Sequence, residues 1–548
     1  MVTQIAARQS FPRRLLMKGG GENKSVIIAL AIGTLGVTAI FFATRAPGAL
    51  SDLAPVFLVL APLLVVVAVR NWERGIQIVL VVVIVEGAVR KWFLPSVSEL
   101  VYFYKDVLMV ATLAGYFRKR NKTPLVIQRR LKLLSIALGV FLLYTIFSLA
   151  LSLEIHPLIG LLGLKAYCLY IPLAFITVRA FPDKERLIRF LKWYALIVLP
   201  VAAIGVMQFS DTNQQSALNR YAIGEQVPGK LSSVAVFSTQ AGSYFVRITS
   251  TFSYVSGLSV YLPIMFALLL AMSSLFSKRG LSRGSKILYY SALGATVVLG
   301  VMTGSRGAML SMVVVAVIFY LFTSGRQTVR RLQQIAVVGV ILFVAFTSIF
   351  PQAYDAFYNR TFGGDEQVSE GWSRIAGALS LPINEASYAG MFGYGIGLTQ
   401  NGVPALMKRL GLAEQDNPLQ MVSEGEPGRV TLELGVIGLV LYTLLRLILL
   451  ITVFRIAFVI RDRESKILAF AAAAALVMPL VVGGAVANHT QNVYQWFLVG
   501  VVFALYNAER LQIRIKNFEL RMAYCESKPT IQNPLSPIRN SQFEIHNY

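Results

Sequence analysis

The chain has 548 residues, 56% of them hydrophobic and 14% charged, with 51 lysines and arginines against 27 acidic residues for a net charge of +24. A mean hydropathy of +0.63 is more apolar surface than a soluble domain can bury, so the chain reads as a polytopic membrane protein. That removes nucleic acid as the meaning of the positive charge, which has to be read by the side of the membrane on which it falls.

The first 24 residues carry Arg8, Arg13, Arg14, Lys18 and Lys24, and an apolar run from Ser25 to Ala43 follows without a small-residue cleavage site. This predicts an uncleaved first span behind a cytoplasmic N-terminal segment, 1–24. Further apolar runs of spanning length lie at 51–69, 76–94, 101–117, 132–152, 159–178, 192–208, 256–276, 287–303, 307–323 and 332–350. After a polar interval, 351–433, three more follow at 434–459, 467–485 and 493–508, about fourteen spans in all. Eleven of these precede the interval, so the transmembrane blocks are 25–350 and 434–508.

Basic residues crowd alternate loops: Arg118 to Lys132, Arg179 to Lys192, Lys278 to Lys286, Arg326 to Arg331, and Arg461 to Lys466. All of them fall on the N-terminal side of the membrane, as the positive-inside rule requires. The loops 209–253, the Ser305–Arg306 corner, 351–433 and Asn488–Asn492 are then outside. The tail, 509–548, begins as a basic amphipathic stretch, Arg510 to Met522, expected to lie on the cytoplasmic leaflet and to end in disorder.

Two cysteines, Cys168 and Cys525, fall in different layers of this topology, which excludes a disulfide framework. Three histidines, His156, His489 and His546, are too few for a conventional histidine-based metal centre, and no metal or cofactor is expected.

Inside the spans, Glu86 and Arg90 lie four residues apart on one helix face, and Lys105, Asp106 and Lys165 sit within or at the edge of others. They read either as a proton or ion path, or as internal pairs that orient helices and line a wet cavity. On the outer side, Thr303-Gly304-Ser305-Arg306-Gly307 forms a tight corner that can present an arginine fork to a phosphate, against a simple hairpin with a snorkelling arginine. Arg247 opens a run of hydroxyls, Thr249, Ser250, Thr251 and Ser253, at the mouth of another span.

The interval 351–433 carries many carboxylates, the glycine-rich Gly393-Tyr394-Gly395-Ile396-Gly397, and aromatics that disorder disfavours. It therefore reads as a folded, partly helical outer segment. At its end, Glu424 and Glu426 beside Arg429 are candidate general bases next to an anion site, or a solvated turn; Glu433 reads as an acid of the first helical turn.

Four pieces in order resemble the O-antigen ligase and polymerase superfamily of bacterial membrane enzymes: Arg247 to Phe252, Thr303 to Leu310 (TGSRGAML), Tyr394 to Asn401 (YGIGLTQN) and Glu433 to Gly438 (ELGVIG). The resemblance covers roughly the C-terminal 60% of the chain. It implies a GT-C-like, all-α fold and a metal-independent glycosyltransferase acting on polyprenyl-diphosphate-linked oligosaccharide at the outer face of the bacterial inner membrane. It implies further that arginines hold the diphosphate, a role falling to Arg247 and Arg306, with Arg374 and Arg429 as further candidates. Where ligases commonly carry a histidine about nine residues before Glu-Leu-Gly, this chain has Glu424, which favours a polymerase of exopolysaccharide, capsule or O-antigen repeat units over a ligase. Expected partners are the lipid-linked sugar, membrane lipid and other polysaccharide assembly proteins, with no nucleic acid. A transporter or flippase of lipid-linked glycans, or a non-catalytic assembly partner, stays open.

Overall fold

The structure, a computed structural model, describes residues 54–94, 98–119, 126–211, 216–219, 236–238, 244–279, 282–324, 382–400 and 425–527, with a few single positions between. The expected span at 25–43, most of that at 332–350, and the candidates Arg374 and Glu424 lie outside the described residues.

Among them, α1 (Ala54–Arg70), α2 (Trp72–Ala88), α3 (Ser98–Arg118), α4 (Lys132–Ile155), α5 (Pro157–Cys168), α6 (Pro172–Ala180), α7 (Lys184–Leu196) and α8 (Val198–Ser210) form the first part. After β1 (Val236–Ser238) and β2 (Tyr244–Val246) come α9 (Val255–Arg279), α10 (Arg283–Met302), α11 (Arg306–Thr323), α12 (Glu426–Val459), α13 (Arg463–Val481) and α14 (His489–Ser527). Eight described helical segments are long and apolar enough to cross a membrane, α7 and α8 counting as one, and the pair α5 and α6, bent by 48°, makes a ninth. The protein is thus a multi-pass α-helical membrane protein. Helices α1, α2 and the first half of α14 stand where spans are expected at 51–69, 76–94 and 493–508, but they are not among the described helices long and apolar enough to cross a membrane.

Helix starts follow the local sequence. Asn71 caps α2 through its side chain, Asp183 caps α7, Ser305 caps α11 and Asp462 caps α13, each accepting from a backbone N–H of the first turn. Pro157 and Pro427 occupy first-turn positions, where a missing N–H costs nothing.

α9 and α13 form the interior. The run Ala469 to Ala475 is almost fully buried, because small side chains let α9, α11, α12 and α14 approach α13 closely where lipid supplies no hydrophobic drive. α4 sits at the edge, with Leu133, Ile136, Leu143 and Ile146 exposed as a lipid-facing stripe. The loop 209–253 departs from a purely helical reading: β1 and β2 pair antiparallel, Val236 opposite Val246, where aromatic and β-branched residues favour the extended chain. α14 also runs beyond the expected span as one helix to Ser527, exposing Ile515, Phe518, Leu520 and Met522.

The two ends of the bundle differ in chemistry. At one, Lys119 Nζ donates to the Arg70 carbonyl (2.7 Å), Arg130 Nε to the Tyr506 hydroxyl (2.9 Å), and Lys184 bridges Asp462 and Glu464 at 3.1 Å each. At the other lie the ends of α2, α4, α8, α10 and α13 and the starts of the helices that follow them.

Candidate functional site

At that second end the Arg247 loop is held from three sides. Gln208, buried on α8, accepts from the backbone N–H groups of Thr249 (3.2 Å) and Ser250 (2.7 Å). Ser250 is left-handed at φ 48°, a conformation a non-glycine residue keeps only when its surroundings enforce it. Its hydroxyl donates to the Val201 carbonyl (2.6 Å). Lys91, fully buried in a π-helical turn that follows α2 (Val89–Phe93), donates to the Thr249 hydroxyl (2.8 Å) and the Ser250 carbonyl. Thr249 and Ser250 therefore fix the loop, and their hydroxyls are engaged within the protein.

Arg247, 8% exposed, donates from Nε to the Thr303 carbonyl (3.1 Å), which ties this loop to the Thr303–Gly307 corner. Gly304 turns the chain at φ 60°, Ser305 accepts from the Ala308 N–H (3.4 Å), and Arg306 is the first residue of α11. The corner is a helical hairpin, and Arg306, half-buried, has no hydrogen-bond or ion-pair partner among the described residues. Two arginines from separate loops, 59 positions apart in sequence, are thus brought to one corner.

The Arg247 loop also touches a charged cluster that the sequence placed only within single spans. Arg90 donates to the Ser253 hydroxyl (3.0 Å) and to the carbonyl and hydroxyl of Ser98 (3.0 and 3.1 Å). Glu86 lies 3.7 Å from Arg90 and 2.8 Å from Lys105, while Asp106 lies 2.7 Å from Lys165 and accepts from the Tyr170 hydroxyl. The expectation of an i,i+4 pair thus holds for Glu86, with Lys105 on the next helix its closer partner.

A second group forms around Glu426. Its Oε1 accepts from the Tyr442 hydroxyl and from Arg446, both at 2.9 Å; its Oε2 accepts from the N–H groups of Gly484 (2.6 Å) and Val486 (2.8 Å). A carboxylate offers about four lone-pair positions, and all are occupied. Buried at 5% exposure, Glu426 is not a residue of a solvated turn. It pins the loop between α13 and α14 to the start of α12. The same loop leads to His489, whose ring centroid lies 5.6 Å from that of Tyr102, and to Asn492, which donates to the Ala166 carbonyl (2.6 Å) beside Lys165.

The glycine-rich stretch meets the Glu-Leu-Gly run directly. α12 breaks at Gly435, φ 69° and ψ −172°, releasing backbone groups on both sides. Tyr394 and Gly395 donate to the carbonyls of Leu432 (2.9 Å) and Glu433 (3.0 Å), and Val436 and Ile437 donate to those of Gly390 and Met391, both at 3.2 Å. A Cβ on Gly435 would overlap the Met391 carbonyl oxygen, which is why glycine stands there. From α4, Tyr144 donates to the Leu434 carbonyl (2.7 Å) and Ser152 to that of Ile396 (2.6 Å). Glu433 is therefore not a first-turn acid. It is fully buried before the break, accepting from the N–H (2.8 Å) and hydroxyl (2.7 Å) of Thr399, whose carbonyl accepts from Arg429 (2.6 Å).

Three or more His, Cys, Asp or Glu side chains do not converge in metal-binding geometry anywhere among the described residues. Gln208, Lys91, Tyr102 and Arg446 carry this end of the protein and escape sequence reading because each lies within or at the end of an apolar run, distant in the chain from what it touches. A charged residue in an apolar run was the available clue for Lys91 and Arg446. The chain matches no protein-family model and no curated protein.

Proposed function

We propose that this protein is a polymerase of polyprenyl-diphosphate-linked oligosaccharide repeat units, of the O-antigen ligase and polymerase type, in exopolysaccharide, capsule or O-antigen synthesis. It acts at the outer face of the bacterial inner membrane, with about fourteen spans in a GT-C-like arrangement and both termini cytoplasmic. The observation that carries this is the tie between the Arg247 loop, whose strained backbone is fixed by Gln208 and Lys91, and the Thr303–Gly307 corner that bears Arg306, at the end of the bundle opposite the basic loops.

In the proposed step, a sugar hydroxyl of the acceptor attacks the anomeric carbon of the donor chain. The new glycosidic C–O bond forms as the bond to the diphosphate breaks; the electron pair leaves with the lipid diphosphate, and the hydroxyl proton passes to a carboxylate base. Arg247 and Arg306 stabilise the departing negative charge in a site poor in water, where preorganised cations are worth more than in solvent. Holding donor and acceptor together supplies a further share of the rate by orientation. Of the two carboxylates Glu424 and Glu426, Glu424 is assigned as the base and Glu426, its lone pairs occupied, as the residue that positions the start of α12. Arg429 holds the Thr399 end of the glycine-rich stretch, and Arg374 remains a candidate for the diphosphate.

The test is reconstitution: purified protein with a lipid-linked repeat unit, followed by gel analysis of chain length for wild type, Arg306→Ala and Glu424→Ala. A ladder lost in both variants is expected. Movement of the lipid-linked sugar across a vesicle bilayer without any ladder would make the protein a transporter instead.

A further inference from the structure

Non-helical backbone inside a bilayer has to find its hydrogen bonds within the protein, because hydrocarbon supplies none. The glycine-rich stretch stands where that rule applies, and three helices fix its depth. α4 has 24 residues, a length of about 36 Å against a hydrocarbon core of about 30 Å, so each end stands about 3 Å clear of the core. Phe147, eight positions before Ile155, lies about 12 Å below that end. Its ring centroid is 5.7 Å from that of Phe392, in an edge contact. Ser148, the next residue of α4, donates to the Glu433 carbonyl (3.2 Å), to which Gly395 also donates. On α5, Gly163 is six positions, or about 9 Å, in from Pro157, and a Cβ there would overlap the backbone of Ile396 and Gly397. On α12 the break at Gly435 is nine positions beyond Glu426, about 13 Å in. Phe392 therefore stands about 9 Å inside the hydrocarbon.

The backbone here is bonded inward to match. The N–H groups of Gly390, Gly393, Tyr394 and Gly395 donate to the carbonyls of Ala386, Ala389, Leu432 and Glu433. The carbonyls of Gly390, Met391, Ile396 and Gly397 accept from Val436, Ile437, the Ser152 hydroxyl and Gln400. Water would satisfy such groups on an exposed loop; hydrocarbon leaves them only one another. What faces outward is apolar. Met391 and Phe392 are both more than half exposed, and they continue the stripe of Leu143, Ile146 and Phe147 that α4 turns to lipid. Nearer the end of the bundle Tyr388 is exposed, and its carbonyl accepts from the Tyr394 hydroxyl (2.9 Å), a placing that suits tyrosines of the membrane–water interface.

We propose that residues 390–397 form a re-entrant tip, which dips into the membrane between α4, α5 and α12 and seats Met391 and Phe392 in the acyl chains of the leaflet at the Ile155 end. The segment between α11 and α12 is then not wholly an aqueous loop: it is anchored in lipid through these two side chains and in the protein through its backbone. Continuity with the lipid-facing stripe of α4 selects acyl chains as the occupant. The inference does not rest on the transferase reading, so either can fail alone.

A nitroxide label tests it. Full-length protein carrying Cys168→Ala, Cys525→Ser and Phe392→Cys is labelled and reconstituted in vesicles of phosphatidylethanolamine and phosphatidylglycerol. Collision rates of the label with oxygen, which concentrates in hydrocarbon, and with a water-soluble nickel chelate are read by power saturation. Leu143→Cys on the lipid-facing stripe and Gly307→Cys at the exposed corner supply the two references. The label at Phe392 should meet oxygen severalfold more often than the chelate, as at Leu143, whereas at Gly307 the order should reverse. Chelate collisions at Phe392 that match those at Gly307 would put the tip in water and overturn the proposal. Low rates with both reagents would show another protein surface covering the tip, and would overturn the acyl-chain contact. Should Phe392→Cys fail to fold, Met391→Cys supplies the same comparison.

Discussion

Arg306 and Glu426 both stand at the first position of a helix and differ in what surrounds them. Arg306 has no polar partner among the described residues, so replacing it should leave folding unchanged and act on turnover alone. Arg306→Lys keeps the charge but loses the planar fork, and chain growth at equal protein level should fall roughly tenfold or more with Tm unchanged; unchanged polymer yield would remove Arg306 from the diphosphate site. Glu426→Ala is expected to behave in the opposite way. It strands Arg446, 9% exposed in its side chain, and leaves the Gly484 and Val486 N–H groups without their acceptor. Breaking a buried pair in this way costs about 3–5 kcal/mol, so Tm and expression should fall together with activity. A Glu426→Ala protein with wild-type Tm and no chain growth would restore Glu426 as the base.

At the scale of elements, the break in α12 decides how the outer segment is attached. Gly435→Ala places a side chain at φ 69° and ψ −172°, a region essentially reserved to glycine, at a cost of about 1–3 kcal/mol before any steric overlap. It also pushes into the Met391 carbonyl. The clip between 390–395 and 432–437 should open, and limited proteolysis should cut within 382–400 faster than in wild type; equal cutting rates would show that the backbone bonds do not hold the segment. Sequence alone makes the two glycine-bearing stretches visible but not their contact, because Tyr394 and Leu432 are joined by backbone groups that a helix hides until Gly435 breaks it. The helices themselves are legible, since spanning length and apolarity are local properties. The partners of Glu86 are not: Lys105 lies on the next helix, and only the packing of α2 on α3 brings it to 2.8 Å. The same limit applies to Gln208, which reads as a helix-end polar residue until the Thr249–Ser250 backbone folds onto it. At the opposite end of the bundle, Asp462 caps α13. Burial pushes its carboxyl up, but hydrogen bonds from Ser465 and the Lys184 ammonium outweigh burial and hold it below its ordinary value. Its folded pKa is depressed, so the stabilisation is present above the unfolded pKa, near 4, and is lost as pH falls through the folded value. Tm values of wild type and Asp462→Asn should differ at neutral pH and converge below about pH 4; a constant difference down to pH 3 would assign the effect to packing.

For the whole molecule, the disposition of charge decides what chemistry is open to the site. The end of the bundle carrying Lys119, Arg130, Lys184 and Arg463 stands opposite that carrying Arg247, Arg306 and Gly484, and the proposed function requires the first set to be cytoplasmic, as the positive-inside rule would have it. A lipid-linked glycan presented outside can reach Arg306 only if that orientation holds. In a protein freed of thiols by Cys168→Ala and Cys525→Ser, Gly307→Cys, at an exposed position with open space beside its Cα, should react with a membrane-impermeant maleimide added to intact cells from which the outer barrier has been removed. Tyr388→Cys, 70% exposed beside the glycine-rich stretch, should do the same. Arg463→Cys, exposed at the start of α13, should react only after the membrane is opened. The reverse pattern would put both arginines on the side where nucleotide-activated sugars are found, and a transferase that draws on lipid-linked donors at the outer face would no longer fit the molecule.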